Sequence, residues 1–165
     1  MRKPFIAGNW KMNTNSASAV ALAAGLAEEL KSIDTVDVAV CPPFVYLQSV
    51  AAALSASNIA LGSQNVYFEE KGAFTGETSC AMLKDTSCAY AIIGHSERRH
   101  VMGETDAMIN KKISAAISSG LLPIFCVGEL LEERQGGTTN EVVSNQIKNG
   151  LKGICSESVQ AVTVA

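Results

Sequence analysis

The chain has 165 residues, 47% of them hydrophobic and 18% charged, with a formal net charge of -3. That length supports one domain with a real core, and that balance excludes an intrinsically disordered chain. The one basic cluster, Arg98-Arg99-His100, is small and flanked by Glu97 and Glu104, so the broad basic stripe of a nucleic-acid binder is absent.

Residues 1–4 lead into an apolar stretch too short for a signal peptide, and no run approaches 18 apolar residues. The chain therefore reads as a soluble, cytoplasmic protein with no membrane and no nucleic-acid partner. Cys41, Cys80, Cys88, Cys126 and Cys155 are odd in number and lack CxxC spacing, which favours buried, reduced thiols. His95 and His100 lack HExxH spacing, so no metal site is expected.

The first strand, 5–7, continues through Gly8 into Asn9-Trp10-Lys11. A helix over 16–31 follows, with Leu22, Leu26 and Leu30 on one face. After a second strand at 36–40, Pro42-Pro43 suits a first helical turn, and Leu47, Val50, Ala51 and Leu54 form its apolar stripe. A third strand at 59–65 opens onto an unusually long connection, 66–79, before the next short helical stretch. Loops of that length in a compact domain are usually functional. This one carries Tyr67, Phe68 and Phe74, which points to a partner surface.

The fourth strand, 88–94, is apolar throughout and so reads as buried on both faces, as in parallel sheets. It delivers His95-Ser96-Glu97-Arg98-Arg99 at its carboxyl end, where α/β folds place their chemistry. A helix opened by Thr105 carries Ile109, Ile113, Ala116 and Ile117 and stops at Gly120. The fifth strand spans 121–127. Thr138 and Glu141 make a capping-box signature before Val143, Ile147 and Leu151, with Gly153 closing that helix. A sixth strand is expected at 160–165. Gly62, Gly72, Gly76, Gly136 and Gly137 read mostly as turn glycines.

Strand and helix alternate, which predicts a parallel sheet with right-handed crossovers. No linker divides the chain, so 1–165 is read as a single domain. The pattern alone fits either a doubly wound sheet or a barrel. Neither GxGxxG nor GxxxxGK[ST] follows a strand.

Several segments closely resemble the triosephosphate isomerase family. They are Ala7-Gly8-Asn9-Trp10-Lys11-Met12-Asn13, Cys41-Pro42-Pro43-Phe44, and Gln64-Asn65-Val66 with Gly72-Ala73-Phe74-Thr75-Gly76-Glu77. To these are added Ile93-Gly94-His95-Ser96-Glu97-Arg98-Arg99, Gly103-Glu104-Thr105-Asp106 and Phe125-Cys126-Val127-Gly128-Glu129. Six such matches in register do not arise separately. The resemblance implies a (β/α)₈ TIM barrel, of which this chain holds about the first five βα units and the sixth strand. It implies interconversion of dihydroxyacetone phosphate and glyceraldehyde 3-phosphate by proton transfer through an enediolate, with no cofactor.

Carried over by motif, His95, Lys11, Asn9 and Glu97 are the catalytic residues, and Asn9 and Lys11 bind substrate. Lys11 counters phosphate and enediolate charge. His95 is the electrophile, used as neutral imidazole, a property known of this family rather than derived from this sequence. Glu97 would pair with Lys11 and Arg98 with Glu104, while Ser96 and Cys126 support the site. The resemblance also implies a homodimer. Its loop at 66–79 would cross to the neighbour, with Thr75 approaching Asn9 and Lys11, and Met12, Gln64, Asn65, Phe74, Gly76 and Glu77 sharing the interface. Against this, the family's Tyr-Glu-Pro-Val-Trp segment with its glutamate base, its lid and its phosphate loops are not found here, so the 165 residues alone are expected to be inactive. The alternative is a non-catalytic barrel fragment that associates through the 66–79 loop.

Overall fold

In the computed structural model, residues 3–165 are described, and the reading of the first two residues as part of a non-signal lead-in lies outside them. The elements run β1 (Phe5–Asn9), α1 (Ser16–Glu29), β2 (Asp37–Cys41), α2 (Leu47–Leu54), β3 (Ala60–Ser63), α3 (Cys80–Asp85) and β4 (Tyr90–Ile93). Then follow α4 (Ser96–His100), α5 (Asp106–Ser118), β5 (Leu122–Phe125), α6 (Leu131–Gln135), α7 (Thr139–Gly150), α8 (Ser156–Val159) and β6 (Thr163–Val164).

All neighbouring strands pair in parallel, in the order β1-β2-β3-β4-β5-β6. A doubly wound sheet reverses its strand order at a switch point. This one never does, which is the winding of a barrel. The sheet is also curled. Phe5 of β1 stacks on Tyr90 of β4 with ring centroids 4.8 Å apart, whereas four adjacent strands laid flat would set them about 14 Å apart.

Curling gives the sheet two buried faces, and the strand alternation serves both. Cys41, Ile92 and Ile124 pack inside the curl with Phe5, Tyr90 and Cys126. Val40, Leu61, Ala91, Ile93 and Phe125 face the helices in the main core. This is why the 88–94 segment is apolar at successive positions rather than alternate ones. Gly62, expected as a turn glycine, lies within β3, where a Cβ would come 2.7 Å from the Cys41 sulfur. It is there for close approach.

Local rules account for most helix ends, with corrections. Asn15 caps α1 by accepting from the Ser18 N–H, and Thr105 caps α5 by accepting from the Met108 N–H. The α1 face is Ala19 and Ala23, fully buried, with Leu26 and Leu30 packed beside them; Leu22 lies outside it and is exposed. Pro43 precedes a 3₁₀ turn, Phe44–Tyr46, so α2 begins one turn later than the prolines suggest. Thr138 makes no side-chain cap: its hydroxyl donates to the Glu133 carbonyl, held there by the preceding α6. The sixth strand is two residues long, because 156–159 winds into α8 first.

Candidate active site at the strand ends

β1 and β4 end on the same rim of the curled sheet, and each hands over to a backbone that fixes a polar side chain. Past β1 the chain turns sharply, with Lys11 in the left-handed region at φ 52°. An L-residue there is strained. Two side chains hold the turn: Asn9 Oδ1 accepts the Lys11 N–H at 2.9 Å, and Gln64 Nε2 donates to the Lys11 carbonyl at 2.8 Å. Gln64 also donates to the Cys41 carbonyl, so one amide ties the Lys11 turn to β2.

Past β4, His95 is the N-cap residue of α4, and its Nδ1 accepts the Glu97 N–H at 3.2 Å. Glu97 Oε2 stands 3.5 Å from the same nitrogen. Only one partner can use it, and the N–H aimed at Nδ1 requires a lone pair there. The neutral ring then carries its proton on Nε2.

Lys11 Nζ meets Glu97 Oε1 at 2.8 Å across the pocket, both side chains about half exposed. That hydrogen bond and the ammonium charge hold the Glu97 carboxyl below its ordinary range. Asn9, Lys11, Gln64, His95 and Glu97 thus line one open pocket of about 310 Å³. Ser96 and Cys126 border an adjoining hollow of about 270 Å³ that shares His95. Burial raises the Cys126 thiol, with Arg99 opposing, and the Cys126 side chain packs inside the curl with a weak bond to the Ile124 carbonyl.

Behind α4 lies a buried ionic group. Glu104 Oε1 accepts from Arg98 Nε and from Lys112 Nζ, each at 2.5 Å. Lys112 Nζ also donates to Asn65 Oδ1 at 2.7 Å. Lys112 is only 1% exposed, and desolvation lowers its pKa despite the Glu104 pair. The sequence reading overlooked it, although position 112 falls on the same α5 face as Ile109, Ile113 and Ala116. A lysine inside an apolar stripe was the available signal.

The 66–79 loop is closed at its neck, where the Tyr67 N–H donates to the Thr78 carbonyl. Its aromatics shield one another. Tyr67 stacks on Phe68 at 4.3 Å and tilts against Phe74 at 4.9 Å, which leaves Phe74 as the most exposed at 39%. Thr75 is exposed at the tip. Gly76 and Glu77 line the Lys11 pocket, and so does Met12, which is 95% exposed.

The cysteines depart from the expected buried set in two places, partly at Cys126 and fully at Cys155. All five are free, with Cys41, Cys80 and Cys88 buried, Cys126 intermediate and Cys155 exposed. Cys155 is exposed because it precedes the short α8 instead of lying within a strand. Burial pushes the Cys41 thiol up to about 12.

A family model described as "Triosephosphate isomerase" matches residues 4–165. A protein of that name from Carboxydothermus hydrogenoformans is 56% identical over the whole chain, and one from Thermoanaerobacter pseudethanolicus is 49% identical. The chain spans 66% of the length of each. The crystal structure of triosephosphate isomerase from Bartonella henselae superposes with a TM-score of 0.90 at 37% identity, covering 99% of this chain and 67% of that one. The six-stranded curled sheet is therefore the corresponding part of a TIM barrel.

Proposed function

Because this chain belongs to the triosephosphate isomerase family, we propose that it supplies the electrophilic half of an isomerase site for a small phosphorylated triose. The observation that carries this reading is the shared pocket of Lys11 and His95, with Nδ1 of the ring already occupied by the Glu97 N–H. A proton is removed beside the substrate carbonyl, and negative charge develops on its oxygen. His95 Nε2–H faces that oxygen as hydrogen-bond donor, then serves the neighbouring oxygen as the carbonyl moves. The Lys11 ammonium offsets enediolate and phosphate charge together. Asn9 holds the Lys11 turn, and Glu97 keeps the ammonium directed into the pocket.

The base is proposed to come from residues outside these 165. Glu129 also follows a strand end, but it accepts from the Thr139 hydroxyl at 3.3 Å and lies 3.7 Å from Arg134. It is engaged away from the Lys11 pocket. The two edge strands support completion by further strands: Ile6 of β1 is 58% exposed and Val164 of β6 46%, on sheet positions that elsewhere face helices.

Homodimer formation belongs to the same proposal. Met12, Phe44 and Met102 are exposed large apolar groups around the Lys11 pocket, an arrangement that suits the loop of a second copy. No helix among the described residues is long and apolar enough to cross a membrane.

The test is His95→Gln in the full-length protein. Turnover of glyceraldehyde 3-phosphate is expected to fall by about 10²–10⁴-fold, with an unchanged circular dichroism spectrum. Turnover within threefold of the parent contradicts the assignment.

A further inference from the structure

Arg99 is among the most heavily engaged side chains in the molecule, and nothing in the mechanism above uses it. Its side chain is 8% exposed. Nε donates to the Gly94 carbonyl at 2.7 Å, Nη2 to the Cys126 carbonyl at 3.1 Å, and Nη1 to Asp106 Oδ1 at 2.7 Å. Asp106 is held in turn by Asn149 Nδ2. The guanidinium also lies 5.9 Å from the centroid of the Phe125 ring.

These contacts fix the entry to His95, and the main chain of α4 fixes its exit. The Gly94 carbonyl belongs to the peptide that enters His95, and the Arg99 main-chain N–H donates to the carbonyl that leaves it, at 3.0 Å. Gly94 has φ +75°, and a Cβ there would come 3.1 Å from Arg99 Nη2 and 3.2 Å from the Cys126 carbonyl. The turn is therefore glycine-shaped so that the guanidinium can sit against it. The last ladder bond between β4 and β5 is the Cys126 N–H to the Ile93 carbonyl. Beyond it Arg99 spans the two strand ends, from the Gly94 carbonyl to the Cys126 carbonyl.

We infer that Arg99 is the positioning residue of His95, its guanidinium clamping the peptide that enters His95 to the end of β5 and the start of α5. The ring has one direct support, the Glu97 N–H. Its aim is otherwise set by the backbone from which it projects, and a misplacement of about 1 Å in a catalytic group costs on the order of 10²-fold in rate. The inference rests on the reading of His95 as the electrophile, and it predicts an effect on turnover rather than on substrate affinity, since Asn9 and Lys11 stand at the end of β1 and in the turn after it.

The experiment compares Arg99→Lys and Arg99→Gln in the full-length protein, with Val50→Ala on α2 as a control for lost stability alone. A lysine keeps the charge, but one ammonium cannot reproduce three contacts of a planar fork. The expected result is a kcat lower by about 10-fold for Arg99→Lys and about 100-fold for Arg99→Gln, with KM within threefold. The His95 ring ¹⁵N signals should move or broaden in both, and stay at parent values in Val50→Ala. A folded Arg99→Lys with unmoved His95 signals overturns the inference, and that variant decides alone if Arg99→Gln fails to fold. A parent protein without isomerase activity would instead overturn the proposed function, while the ring signals still judge the clamp.

Discussion

Lys112 is the residue whose cost is largest for its visibility. An ammonium 1% exposed persists because Glu104 and Asn65 each accept one of its N–H bonds. Removing one partner of a buried ion pair costs about 3–5 kcal/mol. Lys112→Met leaves Glu104 with Arg98, so the expected loss is near the lower figure, about 3 kcal/mol. Urea unfolding of the full-length protein measures it, and a loss under about 1 kcal/mol would mean the network contributes little. Residue roles of this kind were only partly legible in the sequence. Asn9, Lys11, His95 and Glu97 could be placed from motif and strand position, because a strand end fixes where its next residues point. Lys112, Arg99 and Gln64 could not, since each depends on a partner far away in the chain, Asn65, Cys126 and Lys11 respectively, and no local pattern encodes those distances.

At the scale of elements, periodicity located the strands and long helices but not their edges. Position 22 on α1 illustrates why: a leucine there extends the apolar count, yet the packed face runs through two alanines, which let α1 approach α2 closely. Thr138 failed as a cap because the short α6, too brief to read from periodicity, claimed its hydroxyl first. The 66–79 loop was legible as an element but not in its interior, where the aromatics cover each other. A prefolded loop loses little further entropy on docking. Shortening it to a tight turn in the full-length protein is accordingly expected to give a monomer with much weaker activity, because the Lys11 pocket loses its outer wall. Sedimentation still showing a dimer, with activity intact, would exclude the loop as the interface.

For the molecule as a whole, strand order was the feature the sequence left open. Alternating strands and helices predict parallel pairing, but whether each new strand joins the last one's far side depends on long-range packing. The Phe5–Tyr90 stack inside the curl shows the outcome. The same curl places Lys11 and His95 in one pocket from strand ends about 85 residues apart. Among the described residues, Glu77 lines the same pocket from the loop, and the carboxylate in contact with Lys11 is Glu97, which is ion-paired to it and so poorly placed to remove a proton. The most direct measurement is the rate of glyceraldehyde 3-phosphate isomerisation by the purified, mass-verified 165-residue chain, set beside the full-length protein. The account predicts turnover by the full-length protein and no rate above solution for the 165 residues alone. Robust turnover by the short chain would contradict it and move the search for the base to Glu129.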